Sequence, residues 1–374
     1  MDFNVNTEQQ MLRDGITKFL AARYDLETSR AAAKTGSGWQ PEIWRAFAGE
    51  LGILGATFPE EFDGIGGGAV ELMVITEALG HALVIEPYVD AVVVAGGLLH
   101  RSGSPVAAGV LKELVAGNAI AALAATEPDS ADRWQDAATL ARPDGDGWVL
   151  NGSKIMAVAA PLATHLLITA RIEGDDGISL FLTEADAAGI TLHPYRTIDD
   201  RSAADVTFTD LRLSADALLG ERGAAWPSLA QARDEGAAAI CSEAVGCMRK
   251  VLADTVEYCK QRQQFGQPIG SFQALQHRMV DMFMEVEQAA AAVYLAILNL
   301  EADEASRARA VSAGKATIGR AARFVGQEAV QLHGGMGMTE ELAIGHYFKR
   351  LTAIQYEFGT TDSHIARYAE LTKA

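Results

Sequence analysis

Residues 258–273 read YCKQRQQFGQPIGSFQ, and the fold prediction is built outward from this stretch. Arg262 and Phe265 lead into a Gly-x-Pro-Ile turn, and apolar residues recur at helical spacing again from Phe272 and Gln273. Helical periodicity that stops at Gly and Pro and then resumes indicates two helices joined by a tight turn. The stretch therefore predicts a helix, a turn and a second helix.

A second stretch, residues 331–341, reads QLHGGMGMTEE. Gln331 and His333 precede three closely spaced glycines, Gly334, Gly335 and Gly337. Because glycine has no Cβ, such a turn lets a ligand come close to backbone N–H groups, although glycine also occurs in turns that bind nothing. The two stretches are the candidate binding segments of the chain.

Helical periodicity continues from Pro227 to the C-terminus. Long alanine-rich helices of this kind are typical of a four-helix bundle. The expected helices span residues 229–261, 272–302, 305–333 and 340–353, with a last segment at 362–371.

In the part of the chain before Pro227, the sequence pattern changes at Ala119 from helical periodicity to short β-type runs. Upstream, helices are expected at residues 7–24, where Thr7 could act as the cap, at 39–51 and 71–79, and in a segment ending near Gly103. Downstream, short β-type runs separated by turn residues predict a small antiparallel barrel or sandwich. The expected strands are residues 119–126, 138–141, 147–152, 166–170, 178–182, 190–193 and 204–211. The prediction is a mainly α protein with a β insert and domains at residues 1–118, 119–226 and 227–374.

Composition excludes several classes of function. The formal net charge of −18 is spread along the chain, which disfavours nucleic acid and anionic membranes as partners. Three cysteines, all in one predicted helical region, give neither a disulfide framework nor zinc spacing, so no metal is expected. The first twenty residues carry charges in every turn, and no later run reaches about 18 uninterrupted apolar residues. A cytoplasmic protein is expected.

Taken together and in this order, the two binding segments resemble the acyl-CoA dehydrogenase family. The resemblance covers nearly the whole chain and includes FPEEFDGIGGG at 58–68, ATEP at 125–128 and NGSK at 151–154. It implies an N-terminal helical domain, a central β-barrel or sandwich and a C-terminal four-helix bundle. The implied reaction is FAD-dependent oxidation of an acyl-CoA thioester to the 2-enoyl-CoA, in fatty acid or steroid breakdown, with electron-transfer flavoprotein as the acceptor.

The resemblance also implies where FAD binds. In the family, the C-terminal bundle of one subunit reaches over the FAD of its neighbour, so a dimer or tetramer, homomeric or heteromeric, is expected. Thr126 and Ser130 correspond to the flavin-facing strand end of the same chain. The residues implied to serve the neighbour's FAD are Arg262, Phe265, Gln273, Gln331, Gly334 and Gly335.

The flavin-facing side departs from the family pattern. Pro128 is followed by residues 129–134, DSADRW, where the family usually has a Gly-rich loop, and Ser130 is the obvious substitute. Met156 stands where a Trp is common. Val158 stands where the family has a Thr or Ser whose hydroxyl reaches flavin N5, and valine cannot donate that hydrogen bond.

The catalytic base is the largest departure. Family members generally carry the acid directly before the Gly of a C-terminal loop, and here Phe358 stands in that place, with Glu357 one residue earlier. Some members place the base near the start of the first bundle helix. That position is Gly236 here, with Glu235 one residue earlier and Glu243 about two turns further along. Glu357, Glu235 and Glu243 are therefore the candidate bases, and each could instead be a solvated or paired carboxylate.

Two interpretations fit these departures. The chain is an active acyl-CoA dehydrogenase with a relocated base, or it is the non-catalytic half of a heteromeric enzyme, resembling the small subunits of pimeloyl-CoA and steroid side-chain dehydrogenases. The loop FGTTDSH at 358–364 favours the second interpretation, a subunit of a heteromeric enzyme. A flavin oxidase or oxygenase on the same fold is a third class. Small residues at 236–239 would leave room for a bulky acyl chain or would serve close helix packing.

Overall fold

The computed structural model describes residues 5–35, 38–130 and 133–373. The chain divides into two compact units, each of which is discontinuous in sequence. The first unit comprises Met1–Thr28, Ala69–Val84 and Ala237–Ala374. The second comprises Ser29–Gly68 and Ile85–Gly236. The three domain ranges expected from the sequence stay a prediction.

The secondary structure is mostly helical, with one central sheet, which confirms the predicted fold class. The α-helices are α1 (Thr7–Arg23), α2 (Leu26–Thr35), α3 (Pro41–Gly49), α4 (Ala69–His81), α5 (Gly97–Arg101), α6 (Pro105–Val115), α7 (Trp226–Gln261), α8 (Gln273–Ile297), α9 (Glu304–His333), α10 (Ala343–Ile354) and α11 (Thr361–Lys373). The strands are β1 (Ala121–Ala124), β2 (Leu140–Asp144), β3 (Gly147–Val158), β4 (His165–Ile172), β5 (Ile178–Glu184), β6 (Ile190–Arg196), β7 (Ser202–Leu213), β8 (Leu218–Leu219), β9 (Gln263–Gln264) and β10 (Gln267–Pro268). No helix in the described ranges is both long and apolar enough to cross a membrane.

Helix α9 is the centre of the C-terminal part of the first unit, and α8, α10 and α11 all pack on it. Asp303 caps its start by accepting a hydrogen bond from the Ser306 N–H at 3.0 Å, and Gly334, with φ 59°, ends it. The helices predicted after Pro227 are confirmed to within a few residues. In α1 the predicted cap is wrong. Asn6, not Thr7, caps the helix, because its side chain accepts from the Gln9 N–H while Gln9 reaches back to the Asn6 N–H.

Helices α4 and α7 cross in direct backbone contact. A Cβ on Gly80 would lie 2.0 Å from the Glu243 carbonyl oxygen, and a Cβ on Gly246 would lie 1.9 Å from the Glu77 carbonyl oxygen. Cys247 completes the contact by donating to the Gly80 carbonyl at 3.1 Å. The residues 237–239 are fully buried, which agrees with the close-packing interpretation of the small residues in α7.

The second unit contains the central sheet, whose strands among the described residues run in the order β6, β7, β3, β2, β4, β5, β8, with β1 also paired to β4. All seven predicted strands are present, but the purely antiparallel arrangement is wrong. Strands β1 and β2 both pair with β4 in parallel. The chain passes from β1 to β4 through the β2–β3 hairpin. After this connection β4 runs in the same direction as β1, so the two strands pair in parallel.

Two local predictions are confirmed, with details that the sequence did not indicate. The helix expected to end near Gly103 begins as a π-helical segment, Tyr88–Gly96, before α5. The turn after α7 is a two-residue hairpin between β9 and β10, followed by a short 3₁₀ turn. Phe265 and Gly266 form its tip with φ values of 54° and 79°, the positive values that such tight hairpins require.

Candidate functional site

Three groups of side chains contain the candidate site residues other than Glu235, and the first is the C-terminal cluster. It consists of Arg262, Phe265, Gln273, Gln331, Gly334 and Gly335. Tyr258, one turn before Arg262, stacks on His333 with ring centroids 4.2 Å apart, and its hydroxyl donates to the His333 carbonyl at 3.4 Å. This contact holds the ends of α7 and α9 together, so the two binding segments meet at one end of the helical unit.

The members of the C-terminal cluster all face outward. Each is exposed, and Phe265 is 93% exposed at the hairpin tip. Its ring meets Phe272 edge-on, with centroids 6.2 Å apart. A bulky residue at positive φ is strained, and such strain persists where the surroundings or a function require it. The chain's own packing does not account for this aromatic ring.

The glycines of the cluster divide into two kinds. A Cβ on Gly337 would lie 2.7 Å from the Val330 carbonyl oxygen, so packing requires glycine there. Around Gly334 and Gly335 the same test finds nothing within 4 Å. The open backbone at these two positions, together with the exposed Arg262 guanidinium, fits a ligand that carries phosphate groups.

The second group, the strand-end cluster, joins the ATEP and NGSK segments through a buried ion pair. The Lys154 Nζ donates to Glu127 Oε1 at 2.6 Å and to Thr169 Oγ1 at 2.9 Å. Glu127 also accepts from the N–H of Ala138 and from both the N–H and the hydroxyl of Thr139. These partners satisfy both charges, so the pair holds β3 against the end of β1.

Burial and ion pairing act in opposite directions on the pKa values of this pair. Burial lowers the pKa of Lys154 to about 8, although the Glu127 carboxylate acts in the opposite direction. Burial alone would raise the pKa of Glu127, but the charge of Lys154 and the hydrogen bonds from Lys154 and Thr139 together hold it below its ordinary value.

The two residues predicted to contact flavin near this pair, Thr126 and Ser130, already make hydrogen bonds within the chain. The Ser130 hydroxyl accepts from the Glu127 N–H at 2.9 Å and donates to the Glu127 carbonyl at 3.3 Å, and Ser130 is buried. The Thr126 carbonyl accepts from the Ile155 N–H at 2.9 Å. Residues 131 and 132 of the departing loop lie outside the described residues. Met156 sits at a register shift in β3, with φ 54° and half of its surface exposed.

Glu235, one candidate base, is held by an arginine. Both of its carboxylate oxygens lie 2.9 Å from Arg101 Nη1, and Gln231 Nε2 donates to one of them at 2.9 Å. A Cβ on Gly97 would lie 3.1 Å from this pair, so glycine there makes room for it. Glu235 is therefore already engaged by a guanidinium and an amide of its own chain.

Glu243 and Glu357, the other two candidates, share one arginine and form the third group, the Arg350 network. Arg350, 2% exposed, donates to Glu243 from Nε at 2.7 Å and from Nη2 at 3.0 Å. It also donates to Glu357 from Nη1 at 2.5 Å and from Nη2 at 3.0 Å. The structure thus brings together two residues predicted independently, as the two partners of one buried cation.

Lys315 fixes the loop beside this network. Its Nζ donates to the carbonyls of Ile354 and Gly359 at 2.9 Å each and to that of Gln355 at 3.4 Å. Burial lowers the pKa of Lys315, while the carboxylate of Glu357 acts to raise it. The His364 Nε2 contacts the Phe358 carbonyl at 3.0 Å. Phe358 itself has φ 55°.

Sequence reasoning missed Arg101, Arg350 and Lys315. One signal was available for Lys315, which falls in line with the apolar stripe of α9 at spacings of three and four residues. A charged residue on the buried face of a helix must have partners nearby. Arg350 gave the same signal, since it lies between Tyr347 and Ile354 on the buried face of α10 at spacings of three and four residues. Arg101 gave no comparable signal, because its partner Glu235 comes from a distant segment.

Comparison with known proteins covers the chain in three consecutive parts. Residues 6–118, 122–211 and 225–371 match the N-terminal, middle and C-terminal domain families of acyl-CoA dehydrogenases. Acyl-CoA dehydrogenase FadE12 of Mycobacterium tuberculosis is 30% identical over 91% of this chain and 90% of its own length.

Two solved structures extend the comparison. Butyryl-CoA dehydrogenase of Megasphaera elsdenii superposes with a TM-score of 0.92 at 25% identity and covers all of both chains. A chain of the ChsE4–ChsE5 complex of Mycobacterium tuberculosis superposes with a TM-score of 0.91 at 25% identity, covering 100% of this chain and 99% of its own.

Proposed function

Since this chain belongs to the acyl-CoA dehydrogenase family and is an oxidoreductase acting on CH–CH bonds, we propose that it works within an assembly that oxidises an acyl-CoA thioester to the 2-enoyl-CoA. In this assembly the chain completes the FAD site of a catalytic partner and does not supply the base. Electron-transfer flavoprotein is the proposed electron acceptor.

One observation carries the proposal: each of the three candidate bases is ion-paired with an arginine. Glu235 is held by Arg101, and Glu243 and Glu357 are held by Arg350. A base that removes a proton next to a thioester carbonyl works best as a lone carboxylate in an apolar pocket, because burial without a cation makes it more basic. None of the three candidates has that environment, and Phe358 stands where the family carries its acid.

The C-terminal cluster supports the positive half of the proposal. When bound, FAD supplies the acceptor for the hydride that leaves the β carbon of the thioester. The residues of this chain would hold it. Arg262 would fork onto the pyrophosphate, Phe265 would pack against a ring, and the N–H groups at Gly334 and Gly335 would approach phosphate oxygens.

A heteromeric partner is proposed over a second copy of the chain. On the flavin-facing side, the Val158 side chain has no donor for a hydrogen bond to flavin N5. The Ser130 hydroxyl is already hydrogen-bonded to the backbone of Glu127. The chain is therefore better equipped to complete another protein's FAD site than to build its own. Its similarity to a chain of the ChsE4–ChsE5 complex, which pairs two different chains, supports this choice.

A second candidate function is a homomeric dehydrogenase that uses Glu357 as its base. The favouring observation is that the Glu357 side chain is 26% exposed, against 5% for Glu243, and lies directly beside the place of the family's acid. In that case the ion pair with Arg350 would have to open when the thioester binds.

Expression of the chain alone and together with the product of a neighbouring dehydrogenase gene separates the candidates. We expect colourless protein alone, and yellow protein with acyl-CoA-dependent reduction of an electron acceptor after co-expression. One flavin per chain and full activity from the chain alone would establish the homomeric enzyme instead. Oxygen consumption without an added acceptor would indicate a flavin oxidase. Colourless protein with every partner would overturn the proposal.

A further inference from the structure

Helix α8, which packs on α9, is apolar on two opposite faces. Its buried row contains Met282, Val286, Ala289, Val293 and Ala296. Two positions before each of these residues lies a member of a second row: Val280, Met284, Glu287, Ala291 and Tyr294. Two residues turn an α-helix by about 200°, so the second row points away from the interior. This second row, together with Phe283, Leu295 and Leu298, is the outer stripe of α8.

The large apolar side chains of the outer stripe are open to solvent. Val280, Phe283, Met284, Leu295 and Leu298 are each between 39% and 53% exposed. Single exposed apolar side chains are ordinary on a protein surface, but these five lie along about five turns of one helix. An aligned apolar row of this kind indicates a surface that another protein covers.

The spacing of the outer stripe indicates which kind of element covers it. Positions 280, 284, 287, 291, 294 and 298 follow one another in alternating steps of four and three residues. This is the spacing with which two helices pack side by side along their length. A helix of about five turns matches the length of the stripe.

Glu287, near the middle of the stripe, indicates the charge of the covering helix. It is exposed and makes no hydrogen bond or ion pair with any residue that the structure describes. Arg278, the only Lys or Arg of α8, is already paired with Glu328. A second copy of α8 would therefore bring two Glu287 carboxylates into one apolar contact without a cation, which is unfavourable. A helix with Lys or Arg opposite Glu287 removes that cost.

We propose that the outer stripe of α8 binds a helix of the partner subunit that carries apolar residues at the same spacing and a Lys or Arg opposite Glu287. This rests on the proposed function, in which the partner is a different chain. Helix α8 begins directly after the hairpin that carries Phe265, so the outer stripe continues the surface that starts at the C-terminal cluster. The cluster then serves the cofactor, and Glu287 discriminates between partner chains.

Binding between the separately purified chains tests the stripe without reference to flavin. The product of the neighbouring dehydrogenase gene is the binding partner, and biolayer interferometry gives Kd and the dissociation rate. We expect Glu287→Lys to raise Kd at least ~100-fold, because it sets two cations against each other, and Met284→Gln to raise it at least ~10-fold. Both changes should act mainly through faster dissociation.

Each variant has a matched control that is exposed outside the stripe. Asp281→Lys makes the same kind of charge change about 100° round α8 from Val280, and Met11→Gln repeats the methionine change on α1. Both controls should keep Kd within about 3-fold of the wild-type value. Wild-type affinity in Glu287→Lys, equal losses in variants and controls, or no association between the two wild-type chains would overturn the proposal.

Two further readouts separate the possible occupants and the two proposals. Sedimentation should show the chain alone as a monomer, and a dimer that Met284→Gln dissociates would assign the stripe to a second copy and overturn the proposal. Flavin absorbance reads the proposed function separately. A yellow, active assembly that tolerates Glu287→Lys and Met284→Gln would overturn the role of the stripe alone. A colourless assembly that depends on both residues would support the stripe and overturn the proposed function.

Discussion

The C-terminal cluster and the Arg350 network lie in the same compact unit, and both are rich in charged or strained residues, but they differ in what completes them. Arg350 is buried, and its two carboxylate partners both lie inside the chain. The C-terminal cluster offers an exposed guanidinium, an exposed aromatic ring and two open glycines to the outside. The difference separates charges that stabilise this fold from groups available to a molecule from outside it.

The largest expected effect is on the Arg350 network. Arg350→Met leaves Glu243 buried without its cation, and removal of one partner from a buried pair costs about 3–5 kcal/mol in the free energy of unfolding. Denaturant unfolding of the isolated chain measures this loss.

Arg278→Met is the matched control, because Arg278 pairs with Glu328 at a partly exposed site. Its expected cost is at most about 1 kcal/mol. A similarly small cost for Arg350→Met would mean that Glu243 and Glu357 do not depend on the arginine, and would return both to consideration as bases.

A pair of glycine substitutions sharpens the same comparison. Gly80→Ala drives a Cβ into the Glu243 carbonyl oxygen, and overpacking of this kind costs about 1–3 kcal/mol. Gly335→Ala meets nothing within 4 Å and should leave unfolding unchanged while weakening flavin retention in the assembly. Thermal unfolding and flavin absorbance read the two effects. Loss of stability in Gly335→Ala would assign that glycine to the fold.

Arg262→Ala tests the exposed side of the comparison directly. Loss of a charge-assisted hydrogen bond is worth about 1.5–3 kcal/mol, so FAD affinity of the assembly should fall by roughly 10- to 100-fold. The unfolding free energy of the isolated chain should change by less than about 0.5 kcal/mol, because Arg262 is exposed. Flavin titration by fluorescence provides the measurement, and unchanged affinity would remove Arg262 from the site.

The smallest effect concerns His333, whose contact with Tyr258 joins the two binding segments. Burial lowers its pKa from an ordinary value of 6.5, so the unfolded chain takes up the proton first as pH falls. The stabilising contribution of neutral His333 is therefore complete above pH 6.5 and is lost progressively below it. His333→Gln should reduce the slope of unfolding free energy against pH below 6.5 by at most about 1.4 kcal/mol per pH unit.

The exposed His193, substituted by Gln, is the control for this pH series. Its slope should match that of the wild type. If His333→Gln also leaves the slope unchanged, the stack between Tyr258 and His333 does not keep the imidazole neutral.

Local sequence patterns predicted most of the elements and few of the partners. The limits of α9 follow from Asp303 and Gly334, two residues whose roles can be read from the sequence. The parallel pairing of β1 with β4 could not be read in this way, because strand direction in a sheet depends on how the intervening chain returns. Residues 88–96 are apolar except for Asp90, and such a run carries no periodicity to distinguish a π-helical from an α-helical segment.

The candidate site shows the same division. The meeting of the two binding segments was predictable because each is a local motif at the end of a long helix. The fate of Glu235 and Glu243 was not, since their arginines lie 134 residues before Glu235 and 107 residues after Glu243. Only Glu357 has its arginine nearby in sequence, with Arg350 seven residues before it. The family pattern indicated where an acid was missing, but only the fold showed that the nearby acids are ion-paired with arginines.

The hairpin tip bears on how the protein has to be made. The Phe265 ring is 93% exposed at the tip of the hairpin. Under the proposed function the partner subunit covers this ring, so production of the chain without its partner leaves the ring in water. Co-expression is therefore the way to prepare the chain with this surface covered.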